Sequence, residues 1–87
     1  PTPAQVFQAK PVEGLEFVLK EGRDAWYLIA ANTDTKAKNV TFSQKEKTIS
    51  DRPVEVFSEY RSLKMAGGAF TDSFEPYAVH IYKISKP

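Results

Sequence analysis

Phe70-Thr-Asp-Ser-Phe-Glu-Pro-Tyr-Ala-Val-His-Ile-Tyr-Lys-Ile84 is the stretch on which the fold turns. From Tyr77 onward it alternates as a strand does. Tyr77, Val79 and Ile81 point one way, and Ala78, His80, Tyr82 and Ile84 the other. β-Branched and aromatic side chains fill it, the composition of a pleated surface that is largely covered. Pro76 has no N–H to give to a ladder, so the strand is expected to begin there. Apolar residues on both faces place it centrally in a sheet, with something against each side.

Upstream of this stretch, Gly67-Gly68 reverses the chain into Phe70, after a short strand around Leu63 and Met65. Ser58-Glu-Tyr-Arg61 reads as a turn, Val54-Glu-Val-Phe57 as a short strand, and Lys45 to Pro53 as a polar connection. Ala37 to Gln44 reads as a strand, with Val40 and Phe42 inward and Thr41 and Ser43 outward. Before it, Asn32-Thr-Asp-Thr35 is dense in side chains that bond their own backbone and favour turns.

Leu15 to Lys20 alternates cleanly, and Arg23 to Ala31 returns after Glu21-Gly22. A two-residue turn there, with Gly22 at positive φ, sets Phe17 opposite Trp26 and Leu15 opposite Leu28. Leu15, Phe17, Leu19, Trp26, Leu28 and Ala30 then share the core face. A three-residue loop would swap the faces of the second strand.

No segment repeats apolar residues at i, i+3, i+4 and i+7 for three turns, so no helix is expected. Seven or eight short strands with frequent turns imply an all-β, two-sheet antiparallel β-sandwich. Val6 and Phe7 suit a short edge strand. Residues 1–5 read as the remnant of an interdomain linker, with Pro1 and Pro3 keeping it extended, and residues 6–87 as one sandwich domain.

A chain of 87 residues holds one domain and no barrel enzyme. Twelve basic residues against eleven acidic ones leave a net charge of +1. Their scatter argues against nucleic acid, which needs a basic face. Lys45-Glu46-Lys47, the densest charged group, reads as a solvated loop tip. The absence of cysteine removes disulfides and thiolate chemistry. No apolar run approaches the roughly 18 residues that span a bilayer, and no signal peptide is visible. Membrane and nucleic acid are therefore not among the expected partners.

His80 is the sole histidine. Alone, without cysteine, it makes a weak zinc ligand, and no Gly-x-Ser-x-Gly elbow accompanies it. A hydrogen-bonded imidazole on the second sheet face is the plainer reading. Asp72 and Glu75 form the most tempting carboxylate pair, since glycoside hydrolysis uses two acids flanking one bond. They sit at a strand approach with no sign of a cleft, so loop solvation or turn capping is expected of them. Asp72 alone does not make a calcium loop. No catalytic residue, metal or cofactor is assigned. Tyr60 and Trp26 are the candidates for stacking on a sugar ring, through dispersion and CH–π contacts. Trp26 falls on the expected core face, and Tyr60 is the freest of the aromatics.

The stretch 70–84 resembles the closing strand of the β-sandwich at the C-terminal end of many bacterial glycoside hydrolases. Its Phe-Thr-Asp, Pro-Tyr and Val-His-Ile-Tyr carry that likeness. Residues 27–42, with an apolar strand, an Asn-Thr turn and Val-Thr-Phe, are similar to the same domains. The resemblance implies an Ig-like or glycosidase C-terminal-type sandwich that is itself non-catalytic. It would follow a (β/α)8 barrel carrying the catalytic acids, in a secreted, periplasmic or cell-surface bacterial protein.

Strands 25–31 and 77–84 carry more apolar residues than one core needs. Val18, Tyr27, Ile29, His80 and Tyr82 are the candidates for one interdomain face, with Arg23 and Lys83 at its rim. The partner implied by the resemblance is the catalytic domain of the same polypeptide. Two other functions fit the sequence: an autonomous carbohydrate-binding module taking a polysaccharide, or a generic interaction or adhesion sandwich. Exposed aromatics in a planar or groove-like array would favour the sugar-binding module. Packed aromatics would favour the accessory domain.

Overall fold

The computed structural model of the chain describes residues 7–9, 12–44 and 50–86. These residues form eight strands and no helix: β1 (Phe7–Ala9), β2 (Leu15–Glu21), β3 (Ala25–Asn32), β4 (Lys38–Gln44), β5 (Pro53–Val56), β6 (Arg61–Lys64), β7 (Ala69–Phe74) and β8 (Val79–Ser85). A three-stranded sheet has the order β1-β4-β7, and a five-stranded sheet the order β2-β3-β8-β5-β6. All pairings are antiparallel. The fold is the two-sheet β-sandwich that the alternation implies. β8 lies between β3 and β5, the central position its two apolar faces require. The expected linker 1–5, Val6 and the Lys45-Glu46-Lys47 tip lie outside the described residues.

The β2–β3 hairpin corrects one expectation and preserves its consequence. Phe17 stands opposite Ala30 rather than Trp26, and Leu15 opposite Asn32 rather than Leu28. The reversal comes two residues later, at Arg23-Asp24, and is closed by the Gly22 N–H donating to the Ala25 carbonyl at 2.8 Å. The slip is even-numbered, so every side chain keeps its face. Gly22 is not among the positive-φ glycines. Its bare Cα instead gives room to Tyr27, whose Cε2 would lie 3.3 Å from a Cβ added there.

Turn chemistry sets the other reversals. Gly67 and Gly68, at φ 61° and 81°, form the two-residue connection between the paired Ala66 and Ala69. Both central residues at positive φ match the twist of a hairpin, and glycine tolerates it without steric cost. The start of β8 differs from expectation. Pro76 initiates a turn closed by the Ala78 N–H on the Glu75 carbonyl at 3.0 Å, with Tyr77 at φ 60°. The strand therefore begins at Val79, since Pro76 presets the second position of a turn as readily as it starts a strand. Asn32 is buried and ties this turn to its own: its Nδ2 donates to the carbonyls of Lys36 and Glu75, and its Oδ1 accepts from the Asp34 N–H.

The core lies between the sheets. The Phe42 ring is 5.6 Å from Phe17, 5.4 Å from Phe70 and 5.7 Å from Tyr82. Leu28, Ala30, Val40, Val54, Val56, Phe74 and Ile84 close around them. On the other side of the small sheet Thr41 and Thr71 hydrogen-bond each other in the open, so β4 and β7 alternate as a half-solvated strand pair does.

Candidate functional site: an internal ion-pair cluster and an unpaired outer face

Asp72 has the same parity along β7 as Phe70 and Phe74, so the pleat drives its carboxylate into the core, where it is buried. A buried carboxylate needs partners for its charge and lone pairs. The five-stranded sheet supplies them. Arg61, first residue of β6, grips Asp72 with two parallel bonds of 3.0 and 2.8 Å, the fork geometry that makes such pairs strong. The Tyr82 hydroxyl from β8 donates at 2.7 Å, and the Ser73 N–H at 2.9 Å. Arg61 also reaches Glu59 at 2.9 Å, and Glu59 in turn meets His80 Nδ1.

His80 Nε2 faces the Ser73 carbonyl at 3.1 Å, and the Phe74 ring meets the imidazole edge-on at 4.5 Å. Both ring nitrogens thus face acceptors. Burial alone would raise the Asp72 carboxyl, but the bonds from Arg61, Tyr82 and the Ser73 N–H outweigh it and hold the group below the usual range. Glu59 behaves the same way: burial pulls upward, and the bonds to His80 and Arg61 lower it. Burial, then the Asp72 bond, push the Tyr82 phenol up. The bond to Asp72 raises the Arg61 guanidinium against the opposing effect of burial. Both carboxylates and the guanidinium have their partners inside the cluster. The cluster joins the two sheets, which is a structural role.

The tempting carboxylates do not meet as a pair. Asp72 is buried rather than solvated in a loop, which corrects the expectation for it, while Glu75 is exposed in the turn before β8. Among the described residues no three His, Asp or Glu side chains gather as a metal site would require. Trp26 is buried, with Lys86 Nζ 5.3 Å from its ring centre, so its faces are not open to a sugar. Its Nε1 has no hydrogen-bond partner. Tyr60 is fully exposed.

The expected interdomain face needs a correction. His80 lies opposite Ala30 and Tyr82 opposite Leu28, and antiparallel partners share a face. Both point into the sandwich, and Tyr82 is fully buried. A strand apolar on both sides does not reveal which side meets which neighbour, and the β3–β8 register decided it. Ile81 and Val79 occupy the outer face in their place. Val18, Ile29 and Ile81 are register partners across three strands. Phe57, whose N–H donates to the Ile81 carbonyl, extends the line. Ala31 and Val79 lie in the next row, and Tyr27 between Lys20 and Lys83 in another. Val18 is 54% exposed, Val79 56% and Phe57 48%.

No local pattern in the sequence points to Glu59 and Arg61 as cluster members. The signal available was Asp72 itself, a charge at an inward position between two phenylalanines. It demanded a cation, although its choice of Arg61 depends on how the sheets face each other.

Beyond the apolar line, at the β5–β6 end of the sheet, a cleft of about 490 Å3 is lined by Glu55, Val56, Phe57, Ser58, Tyr60, Arg61 and Ser62. Ser58 and Tyr60 hold φ 63° and 54° there, a region that side chains rarely adopt.

Comparison with protein-family models, with curated proteins and with solved structures found no match for this chain.

Proposed function

We propose that this domain is a non-catalytic accessory sandwich that docks through the outer face of its five-stranded sheet onto a larger catalytic domain of the same polypeptide. The observation that carries the reading is the apolar line Val18–Ile29–Ile81–Phe57, with Tyr27 and Val79 beside it, facing away from the core. A solvated sheet face would alternate polar residues at these positions. A contiguous apolar patch rimmed by Lys20, Lys83 and Glu16 has the anatomy of an interface. The likeness of residues 27–42 and 70–84 to glycoside hydrolase C-terminal sandwiches supports a sugar-cleaving barrel as the catalytic partner. The internal pairing of Asp72, Glu59 and His80 supports the non-catalytic part of the reading.

Reading the coding sequence upstream of Pro1 tests this. A barrel-type glycosidase in frame supports the proposal, and a frame that encodes no catalytic domain contradicts it. Aryl-glycoside hydrolysis by the 87-residue chain, abolished by Asp72→Asn or Glu75→Gln, would also contradict it.

A further inference from the structure

We propose that the β5–β6 cleft, which meets the apolar line at Phe57, is a binding site for one uncharged pyranose unit, with the Tyr60 ring as its stacking platform. This rests on the cleft and not on the docking reading. Tyr60 is fully exposed, makes no ring contact among the described residues, and sits in the left-handed region. Folding gains nothing from an exposed aromatic in a costly backbone conformation, and strain of this kind concentrates where a side chain is being aimed.

The residues on either side of Tyr60 hold it in place. Glu59 is tied to His80 and Arg61, and Arg61 to Asp72. The ring therefore stands on a turn whose two flanks are anchored to the core, so little ordering is left for a ligand to impose. The internal cluster acts here as the support of the site.

The lining chooses the ligand class. Arg61 is already engaged by two carboxylates, and Glu55 stands opposite Lys83 in the sheet. With Arg61 held by its own carboxylates and Glu55 in the lining, the cleft has no free cation for an anionic ligand. It offers the exposed rings of Tyr60 and Phe57, and the hydroxyls of Ser58 and Ser62 with the Glu55 carboxylate as hydrogen-bonding groups. An apolar ring face beside several hydroxyl-binding groups matches a neutral sugar, whose C–H face stacks while its edge hydrogen-bonds.

The test is a titration of the 15N-labelled 87-residue chain with cellohexaose, xylohexaose and maltohexaose, followed by amide NMR shifts. The proposal expects saturable shifts at residues 55–62 with at least one of them, with Kd on the order of 1 mM. Tyr60→Ala should weaken binding about tenfold or more, whereas Tyr60→Phe should retain it. Val18→Lys, on the apolar face, should leave it unchanged. No saturation with any of the three sugars, or undiminished binding by Tyr60→Ala, overturns the proposal. Tighter binding of hexagalacturonate or of a proline-rich peptide than of the neutral sugars overturns the ligand assignment. The docking reading is tested apart from this, by the substitutions at Val18 and Val79.

Discussion

The two faces of the five-stranded sheet are built from the same strands and solve opposite problems. On the inner face Leu19, Leu28 and Tyr82 form one register row, and the polar atoms of that face, Trp26 Nε1 apart, have partners: Tyr82 on Asp72, Arg61 on Asp72 and Glu59, His80 on Glu59. The outer face reverses this, with Val18, Ile29, Ile81 and Val79 lacking the layer that such residues ordinarily pack against. Chemistry-bearing residues are consumed inside, and the surplus of burial capacity lies outside. The charged groups therefore explain how the sheets stay together, and the outer hydrocarbon is what carries the proposed docking.

The largest expected effect sharpens the inner half of that contrast. Trp26→Ala should lose roughly 3–5 kcal/mol, the usual range for a buried large aromatic, read as a shift in urea midpoint. Loss of only a few tenths would mean that the indole is surface. Next, Asp72→Asn breaks a gripped pair and strands part of the Arg61 charge. Breaking such a pair costs about 3 kcal/mol, the low end for buried pairs because Arg61 is partly open to water. Tyr82→Phe, which removes one donor to Asp72, should cost about 1–2 kcal/mol.

Acid should act on the same cluster. Asp72 and Glu59 have depressed carboxyls in the fold. The unfolded chain therefore binds protons first, and their contribution is complete above the unfolded carboxyl range of about pH 4. It falls away as pH drops through the folded values. Urea midpoints between pH 7 and pH 2 should decline mainly below about pH 4, and Asp72→Asn should flatten the decline. An equally steep decline in that variant would place the acid sensitivity elsewhere.

Much of the inner face was legible in the sequence because period-two alternation fixes faces without needing register. Leu15, Phe17, Leu19, Trp26, Leu28 and Ala30 share a face even though the turn falls two residues later than expected. Val40 and Phe42 point inward for the same reason. What could not be read depends on contacts between strands distant in the chain. The side of β8 that meets the core was settled by Ala30 standing beside His80, and no local pattern encodes that. Arg61 finds Asp72 across the seam between two sheets. Pro76 was ambiguous because its missing N–H suits a strand start and a turn equally. The cleft depends on left-handed Ser58 and Tyr60, conformations that neither residue type announces.

The smallest effects in the isolated chain belong to the outer face, and there the account is most exposed. Val18→Lys and Val79→Lys change half-exposed side chains, so each should alter the stability of the 87-residue chain by no more than about 0.5 kcal/mol. In the proposed docking the same residues would be covered by the catalytic domain, at on the order of 25 cal/mol per Å2 of apolar area removed from water. The decisive measurement is the melting temperature of the Val18→Lys/Val79→Lys double variant, taken in the isolated chain and in the full polypeptide. The account predicts an unchanged value for the isolated chain and a drop of several degrees for the full polypeptide. An equal drop in both would place these residues in the domain's own core. No drop in either would leave the outer face without a docking partner, contradicting the account.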